Sequence, residues 1–126
     1  MEIKPTSSLP YYMSEHKNGE FKLIGRSTDE SVSDYYCTII DDIKNYNKSK
    51  NISFHIDMDY YNTRTSIYLR DIFNVLKQFN NNGIDVVVNW YYYVDDTDMV
   101  ECGQDYSDLT GLNFNIIKKD KFTNII

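Results

Sequence analysis

Apolar residues alternate with polar residues along five stretches of the chain. This alternation predicts five strands, over Tyr11–Glu15, Glu20–Gly25, Ile52–Tyr60, Ile84–Tyr93 and Phe114–Lys118. Lys17-Asn18-Gly19 separates the first two runs, and Asn-Gly between strands is typical of a β-hairpin. In the fourth run Val86, Val87 and Val88 are consecutive, which predicts a strand buried on both faces.

Between the later strands, apolar residues recur every three or four positions, which predicts three helices. The first opens at Ser27-Thr28-Asp29-Glu30, and the second follows a turn at Asn62–Ser66. Acidic Asp95–Asp98 begins the third, and Gly111 ends it. Cys37 and Cys102 fall within helical patterns, and we expect both to be buried thiols.

This order of elements predicts an α/β protein with a mixed, mostly parallel sheet, an N-terminal hairpin and about three covering helices. A helical crossover between strands is right-handed, so Ile52–Tyr60 and Ile84–Tyr93 should be parallel neighbours. The 126 residues suit one domain spanning 1–126.

The balance of charge and hydropathy narrows the classes of function. A net charge of −6 argues against a nucleic-acid-binding surface, which needs a basic footprint. No apolar run approaches membrane-spanning length, and the N-terminus has no signal-peptide core, so we expect a cytoplasmic protein without a membrane partner.

The junction after the central strand carries three hydroxyls, Thr63, Thr65 and Ser66, where the free N–H groups of a helix start point outward. Taken by itself, Thr63 is more simply an ordinary helix cap. We expect Asn62 to shape the turn through a bond to nearby backbone, and Arg64 either to be solvated or to pair with an anion.

His55, Asp57 and Asp59 alternate on the central strand and suggest a second interpretation, a small metal-dependent hydrolase. One strand spreads three side chains too far to close around an ion without further ligands. The glycines are scattered and form no phosphate-binding loop, and serine-hydrolase and zinc-helix motifs are absent from the sequence. A third interpretation is an unregulated scaffold that binds protein through its tyrosines.

Several motifs, spread in order over nearly the whole chain, resemble the SiaC-type regulatory phosphoproteins, whose fold is similar to the STAS domains of anti-sigma-factor antagonists. The first is Asp59-Tyr60-Tyr61-Asn62-Thr63, followed by hydroxyls and a helix with Asp71-Ile72-Phe73. The later ones are Val88-Asn89-Trp90-Tyr91-Tyr92, Asp95-Asp96-Thr97-Asp98-Met99, Gly103-Gln104-Asp105-Tyr106 and Phe114-Asn115.

This resemblance implies a signalling protein that performs no chemistry, needs no cofactor and acts by partner switching. The threonine after the asparagine, here Thr63, matches the phosphorylated position, and Tyr61, Asn62, Arg64, Thr65 and Ser66 form the surrounding switch region. The implied partners are a kinase, a metal-dependent phosphatase and an output protein, a diguanylate cyclase that controls cyclic-di-GMP and biofilm formation. A kinase must reach the hydroxyl, so Thr63 should be at least partly exposed. Where relatives commonly have serines followed by lysine, this chain has Arg64-Thr65-Ser66-Ile67.

Overall fold

Residues 1–120 are described by the computed structural model, in which a six-stranded sheet is covered by three helices; residues 121–126 of the predicted domain lie outside this part. The strands are Glu2–Ile3 (β1), Tyr11–Glu15 (β2), Glu20–Ser27 (β3), Ile52–Tyr61 (β4), Val86–Tyr93 (β5) and Asn113–Lys119 (β6). The helices are Ser33–Lys44 (α1), Thr63–Asn81 (α2) and Thr97–Thr110 (α3). None of these helices is long and apolar enough to cross a membrane.

The strands lie in the sheet in their order along the chain. β1, β2 and β3 pair antiparallel, whereas β3 to β6 pair parallel, which confirms the predicted mixed, mostly parallel α/β sheet and the parallel β4–β5 pair. The three crossovers all advance in one direction across the sheet. Because such crossovers are right-handed, they place all three helices on the same face.

Burial along the strands follows from this one-sided cover. Phe54 and Ile56 on β4 are buried beneath the helices, whereas Ser53 and His55 on the opposite face are partly exposed. Val87 is also partly exposed, so the prediction that this strand is buried on both faces is wrong. The three valines suggested two covered faces, but within residues 1–120 the helices pack on one face only.

The predicted N-terminal hairpin is present, with a longer turn than Asn-Gly suggests. A short three-ten turn over His16–Asn18 leads to Gly19, which has a φ of 70°. A Cβ at Gly19 would lie 2.1 Å from the carbonyl oxygen of Asn51, so both conformation and space require glycine here.

The start of α1 differs from the prediction. Ser27 is the buried last residue of β3, and the helix begins only at Ser33. The Asp29 carboxylate accepts a hydrogen bond from the Ser31 backbone N–H at 2.8 Å, so this apparent capping sequence forms a loop turn instead.

Other differences are smaller. The two-residue strand β1 was not predicted, α2 starts inside the predicted turn, and β5 begins two residues later than expected. Cys37 is exposed and Cys102 is partly exposed, so the expectation of two buried thiols is wrong. Cys37 lies at an exposed position of α1, whereas Cys102 packs partly against the core from α3.

Close packing of α3 on the sheet depends on Gly103. A Cβ built there would lie 2.6 Å from Cδ1 of Trp90 and 2.8 Å from Cδ1 of Ile116. The Trp90 ring is fully buried, and its Nε1–H donates to the Met99 carbonyl at 2.9 Å. The indole therefore has little freedom to move away from an added methyl group.

We expect Gly103→Ala to lower the free energy of unfolding by about 1–3 kcal/mol, because overpacking against Trp90 outweighs the gain in helix propensity. Urea denaturation followed by Trp90 fluorescence measures the change. Gln104→Ala, at an exposed position of the same helix, is the control and should have little effect. Wild-type stability of Gly103→Ala would contradict this account of the helix contact.

Candidate functional site

A β-bulge shapes the end of β4 just before the predicted switch region. Gly25 of β3 pairs with Met58 and Arg26 pairs with Tyr60, so Asp59 is the extra residue. The bulge interrupts the alternation of side chains. After it, Tyr60 is 51% exposed, whereas the next residue, Tyr61, packs edge-on against Trp90 with ring centroids 6.3 Å apart.

Asn62 is the N-cap of α2. Its side-chain oxygen accepts from the Thr65 backbone N–H at 2.9 Å, and its side-chain amide donates to the Asp29 carbonyl at 3.2 Å. Its backbone N–H donates to the Ser27 carbonyl at 3.1 Å. The prediction that Asn62 shapes the turn is confirmed, and the interpretation of Thr63 as the cap is wrong, because Thr63 is the first helical residue.

A chain of buried hydroxyls fixes the first turn of α2 from below. Tyr36 of α1 donates to the Ser27 hydroxyl at 2.8 Å, and the Ser27 and Thr65 hydroxyls are 2.6 Å apart. All three residues are 0% exposed. Buried hydroxyls are costly unless they are hydrogen-bonded, so this chain joins α1, β3 and α2 in one arrangement.

The three candidate hydroxyls therefore have different environments. Thr63 is exposed, as expected for a residue that a kinase must reach, and its hydroxyl has no hydrogen-bond partner among residues 1–120. Thr65 is buried in the hydroxyl chain, and the Ser66 hydroxyl donates to the Thr63 carbonyl at 2.6 Å. Thr63 is the member of this set that is both accessible and free to react.

Thr63 and Asn62 lie between two surface depressions. One has a volume of about 310 Å³ and lies toward α3. It is lined by Tyr61, Asn62, Thr63, Ser66, Cys102, Asp105 and Tyr106. The other has a volume of about 410 Å³ and is lined by Glu30, Asn62, Thr63, Arg64 and Ile67. Arg64 is exposed and has no ion-pair partner in the described part of the chain, so its guanidinium is available to an anion.

Two tyrosines form the inner wall of the α3-side depression. Burial is the main cause that raises the pKa of Tyr61, and its contacts with Cys102 and Tyr106 raise it further. Burial also raises the pKa of Tyr106, whose hydroxyl lies 3.5 Å from the Ser66 carbonyl. Both phenols are therefore neutral at physiological pH and give the depression a largely apolar interior.

The residues of the metal-hydrolase interpretation make other contacts. His55 lies 3.3 Å from Glu20 and 3.0 Å from the Tyr91 hydroxyl, and Asp57 forms a buried ion pair with Lys119. Because Asp59 is the extra residue of the bulge, it does not continue the alternating pattern that predicted it on the same strand face as His55 and Asp57. The described residues include no group of three or more histidine, cysteine, aspartate or glutamate side chains able to hold a metal ion.

Several site residues were not predicted as such from the sequence. Cys102, Asp105 and Tyr106 come from α3, about forty positions after Thr63, and Ser27 and Tyr36 come from the opposite direction. No local pattern links these positions, because only the crossovers of the sheet bring them together. Ser27 lies in a sequence that is typical of a helix start, so its hydroxyl gives no local sign of the contact with Thr65.

Together, the mixed sheet and the helices on one face define a small α/β protein with an exposed threonine at a helix start. Residues 3–119 match the model of the SiaC family of regulatory phosphoproteins. The chain belongs to that family. No curated protein matches the sequence.

Solved structures of this family share the fold. A chain in the crystal structure of the diguanylate cyclase SiaD in complex with its activator SiaC, from Pseudomonas aeruginosa, superposes with a TM-score of 0.89 at 19% identity. The match covers 94% of this chain and 99% of that one. Apo-SiaC from the same organism gives a TM-score of 0.85 at 20% identity, covering 93% and 97% of the respective chains.

We expect Thr65→Ala to lower the free energy of unfolding by about 1–3 kcal/mol, because it leaves a buried hydroxyl of the chain without its partner. Thr63→Ala is the matched control and should change stability by less than about 0.5 kcal/mol, because Thr63 is exposed and is not the cap. Urea titrations of both variants measure these changes. A larger loss for Thr63→Ala than for Thr65→Ala would contradict the assigned roles.

Proposed function

We propose that this chain is a non-enzymatic, cytoplasmic signalling protein in which reversible phosphorylation of Thr63 determines which partner is bound. Membership of a family of regulatory phosphoproteins supports the proposal. The observation that carries it is the contrast at the start of α2, where Thr63 has an accessible hydroxyl with no hydrogen-bond partner in residues 1–120 and Thr65 is buried.

The modification cycle needs two partner enzymes. A kinase transfers the terminal phosphoryl group of ATP to the Thr63 hydroxyl and releases ADP. A metal-dependent phosphatase then hydrolyses the ester with water and releases inorganic phosphate. Neither step requires a catalytic group from this chain, and its own part is to present Thr63 at the rim of two depressions.

The output partner in this proposal is a diguanylate cyclase, and the unphosphorylated form engages it to control cyclic-di-GMP and biofilm formation. The support is the solved complex in which SiaC is the activator of the cyclase SiaD. Tyr61, Asn62, Arg64 and Ser66 surround Thr63 at the surface, where they can contact a partner. Thr65 acts from below by fixing the turn.

The position of Thr63 explains how a phosphate changes binding without unfolding the domain. A phosphate adds nearly two negative charges at a helix start, where the helix dipole tolerates or mildly favours them. Arg64, which has no ion-pair partner among residues 1–120, lies next in sequence, whereas Asp105 lines the neighbouring depression and repels the dianion. A docked partner must desolvate this dianion, so the affinity for an apolar surface falls.

Incubation of the protein with ATP and a lysate of its native organism should place phosphate on Thr63 and leave Thr65 unmodified. Peptide mapping by mass spectrometry locates the phosphate, and Thr63→Ala is the control that should remain unlabelled. The melting temperature of the modified protein should stay within about ten degrees of the unmodified value, because the hydrogen bonds of the turn do not involve the Thr63 hydroxyl. Labelling of Thr65 or Ser66 in place of Thr63 would contradict the assignment.

Thr63→Ala should hold the output cyclase constitutively, whereas Thr63→Asp should weaken it, though less than phosphate does, because a carboxylate carries about half the charge. Pull-down with both variants as baits, read by mass spectrometry, identifies the cyclase. Titration calorimetry with that purified enzyme then measures the affinities.

Ser66→Ala is the control for a neighbouring hydroxyl and should change the affinity for the cyclase much less than Thr63→Asp does, because the Ser66 hydroxyl already donates to the Thr63 carbonyl. Equal affinities of Thr63→Ala and Thr63→Asp, together with a strong effect of Ser66→Ala, would move the switch away from Thr63.

A further inference from the structure

The depression that Thr63 lines toward α3 adjoins another depression, and the two share Tyr61 and Cys102 as lining residues. This neighbouring depression, of about 240 Å³, lies between the end of β4 and the start of α3. It is lined by Asp59, Tyr60, Tyr61, Asp96, Asp98, Met99 and Cys102. Tyr61 and Cys102 line both depressions and form the wall between them. We call the pair the double groove.

The interior of the double groove is mainly apolar or aromatic. Met99 is 93% buried at its base, and Tyr60 stands beside it as one of the few large apolar side chains that are more than half exposed. The β-bulge at Asp59 places this ring outside the core. Large exposed apolar side chains beside a concave surface are typical of protein-docking sites.

The rim of the double groove is acidic. Asp59, Asp96 and Asp98 line one depression and Asp105 the other, and the described lining residues include no lysine, arginine or histidine. Asp96 caps α3 by accepting from the Met99 backbone N–H at 3.1 Å. Asp59 and Asp98 have neither an ion pair nor a side-chain hydrogen bond within residues 1–120.

These features determine the chemistry of a fitting occupant. An acidic segment would meet repulsion from four carboxylates, and a neutral apolar segment would desolvate them without compensation. A segment with apolar side chains on one face and lysine or arginine at the edges fills the interior and pairs with the rim. We propose that the double groove docks a basic amphipathic segment of the output partner, an inference that rests on the proposed function.

The two depressions have different roles in this docking. Within the double groove, Thr63 lines the depression toward Asp105 and not the other, so a phosphate there occupies space that an apolar side chain of the partner needs. The carboxylates of Asp59, Asp96 and Asp98 lie beyond the wall of Tyr61 and Cys102. Basic contacts made there do not touch Thr63, and phosphorylation weakens docking by excluding the apolar anchor.

Two synthetic amphipathic peptides of equal length test the inference. The lysine peptide contains leucine and lysine, and the glutamate peptide has glutamate at every lysine position. Each is titrated into the unmodified, isotope-labelled full-length chain and followed by NMR. The lysine peptide should shift the amide signals of Tyr61, Asp98 and Cys102, and the glutamate peptide should not. Equal binding of both peptides, binding of neither, or shifts confined to another surface would overturn the proposal.

Two double variants with the same change in net charge distinguish peptide binding at the groove from attraction to the overall negative charge of the chain. The double variant Asp59→Asn/Asp98→Asn should weaken the lysine peptide about fivefold. The control Asp34→Asn/Asp41→Asn changes the net charge equally at exposed positions of α1 and should bind like the wild-type protein. Equal weakening by both double variants would show nonspecific attraction and refute the site.

Two separate cysteine variants test whether the peptide occupies the interior of the double groove. Cys102→Phe places a ring in the space of both depressions and should reduce peptide binding at least tenfold. Cys37→Phe, at an exposed position of α1, should leave peptide binding unchanged. A thermal melt verifies that each variant is folded, and the aspartate variants remain decisive if Cys102→Phe is not. These titrations use unmodified protein, so a negative result would refute the docking groove but not the Thr63 switch. Conversely, absence of phosphate on Thr63 would refute the switch but would not change the result of the peptide titrations.

Discussion

Ser27 joins the end of β3 to the start of α2, and the position of Thr63 depends on that junction. Its carbonyl accepts from the backbone N–H of Asn62, and its hydroxyl bonds with those of Thr65 and Tyr36. The Ser27 and Thr65 partners are 38 positions apart in the chain, and both are fully buried. Because a buried hydroxyl is costly when any partner is missing, the junction favours a single geometry for the turn.

The topology of the sheet places this junction at the carboxyl ends of the parallel strands. Thr63 follows the carboxyl end of β4, and Asp96 follows the carboxyl end of the parallel neighbour β5. Surface depressions lie at this edge, where the chain turns from strand into helix. The bulge at Asp59 adds a local feature, since it turns Tyr60 outward while Tyr61 remains packed against Trp90.

The sequence patterns predicted most of the architecture but only part of the site. Alternating and helical periodicities identify the β4–α2–β5 crossover, and the polar turn identifies Asn62, because these signals are local. The prediction of a helix start at Ser27 is wrong, because the Ser27 hydroxyl bonds with Thr65, which is distant in the chain. The contribution of Cys102 and Tyr106 was also missed, because the packing of α3 beside α2 has no local signature.

In the proposed switch, stability and signalling depend on different groups within one helical turn. The hydroxyl of Thr65 and the side chain of Asn62 hold the turn, and both are occupied by bonds within the fold. The Thr63 hydroxyl takes part in none of these bonds, so a group attached to it alters the surface while the junction beneath stays closed. In the proposed cycle, this hydrogen-bonded turn would present Thr63 to kinase, phosphatase and output partner in the same geometry. Discrimination among these partners would then come from the chemistry at Thr63 and from the surrounding depressions, not from rearrangement of the fold.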